Sequence, residues 1–89
     1  MYRPAGSSVR RLVHIRDGWI CVYCGDFGNQ VDHVIPWQFG GKNICENLVS
    51  CCNKCNTKKG SKLVPEMIMK AFRHLISVGE SLDWLDGIK

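Results

Sequence analysis

Eighty-nine residues are enough for one small domain with a modest core, and folds of this size commonly lean on a metal or on disulfides. No stretch approaches the roughly 20 apolar residues of a membrane span, and the first eight residues carry no apolar run of the secretory kind. The formal charge of +4 suits a polyanionic partner without demanding one, so the basic residues matter by position more than by sum. Six cysteines remain to be explained. With a reducing cytosol as the expected compartment, Cys-x-x-Cys pairs bind metal more often than they oxidise.

Residues 1–7 read as a flexible arm, and 8–89 as a single domain with a core over 19–60 and a helical extension over 65–86. Ser7 or Ser8 can N-cap a helix running to Asp17, where Gly18 stops it. Helical spacing puts Val9, Leu12 and Val13 on an apolar face and Arg10, Arg11 and His14 on a solvated one. Arg16 lies on the apolar side, either snorkelling or reaching a phosphate. Cys21-Val22-Tyr23-Cys24-Gly25 has the form of a zinc knuckle, with a glycine where the backbone turns next to the thiolates.

Gly28-Asn29 marks a turn, and Val31–Ile35 reads as a short strand ended by Pro36. Trp37 to Asn43 is a loop, in which Trp37 and Phe39 either pack the hairpin or touch a ligand. Asn47–Cys51 is the returning strand. A short helix then runs from Cys52 to Lys59, with Gly60 at its C-terminus. Pro65 opens another helix, to about residue 78, with a stripe of Ile68, Ala71, Phe72, Leu75 and Ile76. His74 falls on its polar face beside Lys70 and Arg73, and Ser81–Leu85 is a last helical piece.

Two Cys-x-x-Cys turns can supply the four soft ligands of a tetrahedral Zn²⁺ site. Cys21 and Cys24 form one pair. Cys52 rather than Cys51 completes the other, because only Cys52 keeps the spacing with Cys55. Cys45 and Cys51 are then small apolar core residues. The 27 residues between Cys24 and Cys52 exceed the roughly 15–20 of a plain zinc ribbon, and the excess is a hairpin carrying Asp32 and His33. Folding is expected to depend on zinc. A thiol–disulfide protein is the competing reading of the cysteines, but the βαβ pattern that usually goes with a redox pair is missing.

Asp32 is a hard-metal ligand type, His33 a base type, and Asn56 offers a carbonyl oxygen. On a helix, Cys52, Cys55, Asn56 and Lys59 fall within about 80° of one face, so the face that holds zinc turns Asn56 towards the hairpin. A regular strand sends Asp32 and His33 to opposite sides, so a shared site needs the strand to end or bulge there. Lys42, Lys54, Lys58, Lys59 and Lys62 surround this region, with Arg10 and Arg11 flanking it. They are candidate nucleic-acid contacts.

These stretches resemble the HNH endonuclease family. The resemblance rests on Cys21-x-x-Cys24-Gly25, Asp32-His33-Val34-Ile35-Pro36, Gly40-Gly41, Asn47-Leu48-Val49 and Cys52-x-x-Cys55-Asn56-x-x-Lys59-Gly60. It implies an α+β domain of the ββα-metal kind and divalent-metal-dependent hydrolysis of DNA phosphodiesters, leaving 5′-phosphate and 3′-hydroxyl ends. His33 matches the family's general base, Asp32 its catalytic-metal ligand and Asn47 the residue that braces the loop between the strands. Asn56 stands at the third letter, usually His, which makes this an HNN variant and favours Mg²⁺ or Mn²⁺ over a softer ion. A single active site implies nicking of double-stranded DNA with little sequence preference, by a monomer or a weak homodimer. A zinc module that binds nucleic acid without cutting it is the alternative.

Overall fold

A computed structural model describes residues 6–87. The residue 1–5 portion of the expected arm, and residues 88 and 89 of the domain, lie outside the described residues. The chain folds as a small α+β domain in the order helix, hairpin, helix, helix. Helix α1 spans Ser7–Asp17. Its N-cap is Gly6, with no side-chain cap, rather than Ser7 or Ser8, which lie inside the first turn. Gly18, at φ 66°, ends it by donating its N–H to the carbonyls of His14 and Ile15, the left-handed closure that a residue without Cβ adopts freely.

Strands β1 (Gln30–His33) and β2 (Leu48–Cys51) pair antiparallel in a two-stranded sheet. The register is Gln30 with Cys51, Val31 with Ser50, Asp32 with Val49 and His33 with Leu48. The expected strand ran to Ile35, and the observed one stops two residues sooner. The reason is Asn47: its carbonyl accepts from the Val34 N–H, and its side chain takes over both backbone groups of Ile35. Asn47 itself sits in a 3₁₀ turn, Cys45–Asn47, ahead of β2.

Strand alternation gives the sheet two buried faces. On one, Val31 and Leu48 pack against Val13 of α1, with Val9 and Cys45 at the edge. On the other, Val49 and Cys51 join Val34, Cys21 and Tyr23 of the first cysteine turn, and Ala71 and Leu75 of helix α3 (Pro65–Ser77). Helix α2, Asn53–Lys59, lies between them in sequence and follows β2 directly. The α3 stripe turns inward at Ala71 and Leu75, with Ile68 and Phe72 partly covered. Ile76, expected there too, is 62% exposed. The last helical piece is a 3₁₀ segment, Asp83–Gly87.

Polar residues tie these layers together, and here several expectations change. Arg16 neither snorkels nor faces a phosphate. Its guanidinium donates to the carbonyls of Cys45 and Leu48 and to the carboxylates of Asp17 and Glu80, so four of the groups around it are acceptors. Asp17 also accepts from the Ser50 N–H at 2.8 Å and pairs with His74 at 2.7 Å. Burial pushes the Asp17 carboxyl up, but Arg16 and His74 outweigh it and hold the group below its ordinary range. His74 is thus a strut between α3 and α1, not a solvated residue. His14 is buried as well, hydrogen-bonded through Nδ1 to Ser50 Oγ at 2.7 Å, while Leu12, expected inside, is 58% exposed. The buried stripe of α1 is rotated by about one residue from the apolar one, because the sheet offers a hydroxyl that an imidazole can reach and a leucine cannot use.

Candidate active site and cysteine cluster

The first cysteine turn is closed by Gly25, which donates its N–H to the Cys21 carbonyl, and by Cys21 N–H donating to Asp26. A bridge between Ile20 and Phe27 frames it. The second turn lies at the start of α2, where Cys52 is the N-cap and its Sγ accepts from the Cys55 N–H at 3.4 Å. The two turns meet: the Sγ atoms of Cys21, Cys24, Cys52 and Cys55 all lie within 4.8 Å of one another, and Cys24 and Cys52 are 3.6 Å apart. Thiolates about 2.3 Å from a tetrahedral Zn²⁺ would be about 3.8 Å from each other, so the cluster has the size the ion needs.

Electrostatics agree. Burial raises the Cys21 thiol, but backbone N–H groups of Cys52, Cys24 and Tyr23 outweigh it and bring its pKa down to about 7. Burial and the neighbouring sulfurs push Cys55 up to about 12. The sulfurs thus act on one another's charge, as closely set thiol groups must. Cys51 is not in the cluster. It is fully buried, and burial holds its thiol protonated. Cys45 packs at the edge of the α1 core.

The opposite end of the hairpin carries Asp32 and His33. No bulge interrupts β1, and His33 is its last residue, so the pair borders one small cleft from two sides as the strand ends. The cleft is completed by Val31, the Pro36–Gln38 turn and Gly60-Ser61 after α2. Asn47, fully buried, shapes the loop beside it: Oδ1 accepts from the Ile35 N–H at 2.9 Å, and Nδ2 donates to the Ile35 and Lys42 carbonyls at 3.0 Å. Gly41 is obligatory in this loop, since a Cβ there would lie 1.7 Å from the Ile35 carbonyl oxygen.

The His33 ring is buried and bonded through Nε2 to the Asn43 side-chain oxygen, Oδ1. Asn43 is a partner that sequence reasoning missed. Its only signal was an amide side chain in the loop after Gly40-Gly41. Asp32 is buried too. Tyr23 donates its hydroxyl to Oδ2 at 2.5 Å, and the Lys59 ammonium lies 3.3–3.4 Å from both carboxylate oxygens. Burial pushes the Asp32 carboxyl up, while Lys59 and Tyr23 act to hold it down.

Lys59 therefore differs from its expected role. It is fully buried and also donates to the His33 carbonyl at 2.9 Å, so it is a strut under the site and not a surface contact for phosphate. An ammonium held by a buried carboxylate and a backbone carbonyl has its partners inside the protein. The other basic candidates, Arg10, Arg11, Lys42, Lys54, Lys58 and Lys62, are exposed. Trp37 and Phe39 are 40% and 43% exposed, with Trp37 on the cleft wall.

Asn56 lies on α2, as the helical spacing predicts, but its amide does not bond to Asp32 or His33. Nδ2 donates to Gln30 Oε1 at 2.6 Å. Gln30 and Asp32 project from the same face of β1, two residues or about 7 Å apart along the strand. Asn56 is thus tied to Gln30, at the cysteine end of β1, and is not among the residues lining the cleft. His33 projects from the other face. Among the described residues, no helix is long and apolar enough to cross a membrane.

Comparison with known proteins bears on what this arrangement is. A protein of Corynebacterium diphtheriae named CRISPR-associated endonuclease Cas9 is 44% identical over 65 residues, covering 66% of this chain and 6% of that protein. The chain thus spans a small part of that relative. A family model described as HNH endonuclease matches residues 21–72, from the first cysteine of the cluster into α3. With more than half of the sequence inside that match, including both cysteine turns and the whole hairpin between them, the chain belongs to the HNH endonuclease family.

Proposed function

We propose that the chain is a divalent-metal-dependent DNA endonuclease in which His33 is the general base. The observation that carries this reading is the cleft at the end of β1, edged by Asp32 and His33, with the His33 ring held by Asn43. With Asn43 Oδ1 as acceptor, Nε2 carries the ring proton and Nδ1 is the basic nitrogen. Nδ1 takes a proton from water as the water oxygen attacks phosphorus, and the bond from phosphorus to the 3′ oxygen breaks. Asn47 keeps the loop that bears Asn43 at its distance from the strand. The exposed Lys42, Lys54 and Lys58, with Arg10 and Arg11, draw the phosphate backbone in and make binding salt-dependent.

The donors fit a hard cation in kind. Asp32 offers a carboxylate, and Asn56, whose Nδ2 is engaged by Gln30, offers its Oδ1. Asp32 and Asn56 would hold Mg²⁺ or Mn²⁺, which would supply positive charge against developing negative charge on oxygen. Lys59 orients Asp32 for this role. A separate Zn²⁺ on Cys21, Cys24, Cys52 and Cys55 holds the fold. One His33 per chain cuts one strand, so the product is a nick in double-stranded DNA, with little sequence preference from so small a contact surface. The protein acts as a monomer or a weak homodimer.

Supercoiled plasmid incubated with zinc-loaded protein across a metal panel tests this. Nicked circles with Mg²⁺ or Mn²⁺, and none with EDTA, are expected. A second reading draws on the Lys59–Asp32 pair: a carboxylate already neutralised by an ammonium suits a zinc module that binds nucleic acid without cutting it. DNA binding with no cleavage under any metal would select that reading.

A further inference from the structure

Away from the His33 cleft, Ser7, Arg10, Arg11, His14, Trp19 and Asn29 line a second concavity beside α1. His14 is 3% exposed, and its Nε2 makes no hydrogen bond of normal geometry with any described residue, although the Asn29 backbone is close enough to act on its charge. Trp19 stacks on the His14 ring, centroids 4.2 Å apart, and Phe27 lies parallel to Trp19 at 6.3 Å. Both outer rings stay open to solvent, Trp19 at 43% and Phe27 at 67%. Trp19 also has φ 60°, a left-handed conformation that a bulky side chain rarely adopts. The two guanidinium groups of Arg10 and Arg11 sit at the rim, exposed.

We propose that this concavity binds an unpaired nucleotide of the nucleic-acid substrate. The phosphodiester lies between Arg10 and Arg11 at the rim, and the base stacks on the Trp19–Phe27 platform. Cationic rims with aromatic faces are the combination that holds single strands, because every base has a π-face and every linkage a charge. The inference rests on the reading that this chain acts on nucleic acid, but not on its cutting it. Asn29 precedes β1 and His33 ends it, four residues or about 13 Å apart along the strand.

The test uses zinc-loaded His33→Ala protein, which holds nucleic acid without consuming it, and a fluorescent single-stranded 12-mer read by anisotropy. Trp19→Asn, chosen because Asn tolerates the left-handed backbone, should weaken binding about 5- to 100-fold. The same variant should leave binding of the matching 12-base-pair duplex within about twofold, since paired bases cannot stack there. Arg10→Gln/Arg11→Gln should lower the dependence of log affinity on log salt by about one unit or more. If Trp19→Asn reduces zinc content, Phe27→Ala replaces it, since Phe27 is 67% exposed and the same loss on single strand but not on duplex is expected. Equal losses on single strand and duplex, or unchanged single-strand affinity with an unchanged salt slope, would overturn the proposal. Either result leaves the cleavage reading standing, because plasmid nicking by the His33-intact protein is measured separately.

Discussion

The two ends of the hairpin are built differently. At the cysteine end, four identical donors come from two turns of identical spacing, and their sulfurs already stand at the separations a tetrahedral ion needs. At the other end, unlike side chains are interlocked: Asn47 on Ile35 and Lys42, Asn43 on His33, Tyr23 and Lys59 on Asp32. The first region offers a set of donors that could hold a metal ion, and the second is joined by hydrogen bonds among its own side chains. On the function proposed above, removing the metal should act on folding, and changing a side chain at the other end should act on the chemistry.

The largest expected effect is removal of the cysteine-bound metal. Apparent binding energies of structural Zn²⁺ are about 10–16 kcal/mol in small domains, which exceeds what a core this size supplies. Exhaustive chelation under reducing conditions should abolish the cooperative thermal transition, and one equivalent of Zn²⁺ should restore it. Survival of the transition in the metal-free protein would show that the two ends do not divide the work as described.

Next is Lys59→Met. It leaves Asp32 buried with only Tyr23 to receive its charge, and breaking a buried pair in this way costs about 3–5 kcal/mol. Denaturant unfolding of the zinc-saturated protein checks it. Unchanged stability with weakened DNA binding would instead make Lys59 the surface contact that its sequence position first suggested. Asn47→Ala should cost roughly 3 kcal/mol, about 1 for each of its three hydrogen bonds, and should lower cleavage with zinc content unaltered. A loss of zinc in that variant would mean the two ends are coupled.

Much of this was legible in the sequence. The choice of Cys52 over Cys51 followed from spacing alone, and so did the α2 face that carries Asn56. Local periodicity is enough where ligands come from turns. The α1 expectation failed at His14 and Leu12, because a hydroxyl 36 residues away, Ser50 Oγ, decides which of them is inside. Arg16, His74 and Lys59 failed in the same direction. His74 was read as solvated, Lys59 as a phosphate contact and Arg16 as snorkelling or reaching a phosphate, and each finds a carboxylate or carbonyl in a segment distant in sequence. Asn43 had no periodic signal at all; only the path of the loop brings it to His33.

The smallest effect concerns pH. Burial, and then the charge of Arg10, lower the His14 pKa below 6.5, so the folded protein binds fewer protons there than the unfolded chain. Its contribution to stability is present above pH 6.5 and is lost as pH falls through the folded pKa. His14→Gln should flatten that part of the stability–pH curve while the acid loss due to the cysteine cluster remains. An unchanged curve would place His14 in solvent.

The most direct test of the central claim is nicking of supercoiled plasmid in Mg²⁺ or Mn²⁺ by wild-type and His33→Ala proteins of equal, measured zinc content. The account predicts nicked circles from the wild type and a rate lower by about 10²–10⁴-fold in the variant, with the same thermal transition in both. Equal cleavage by the two proteins, in a preparation free of other nucleases, would contradict it.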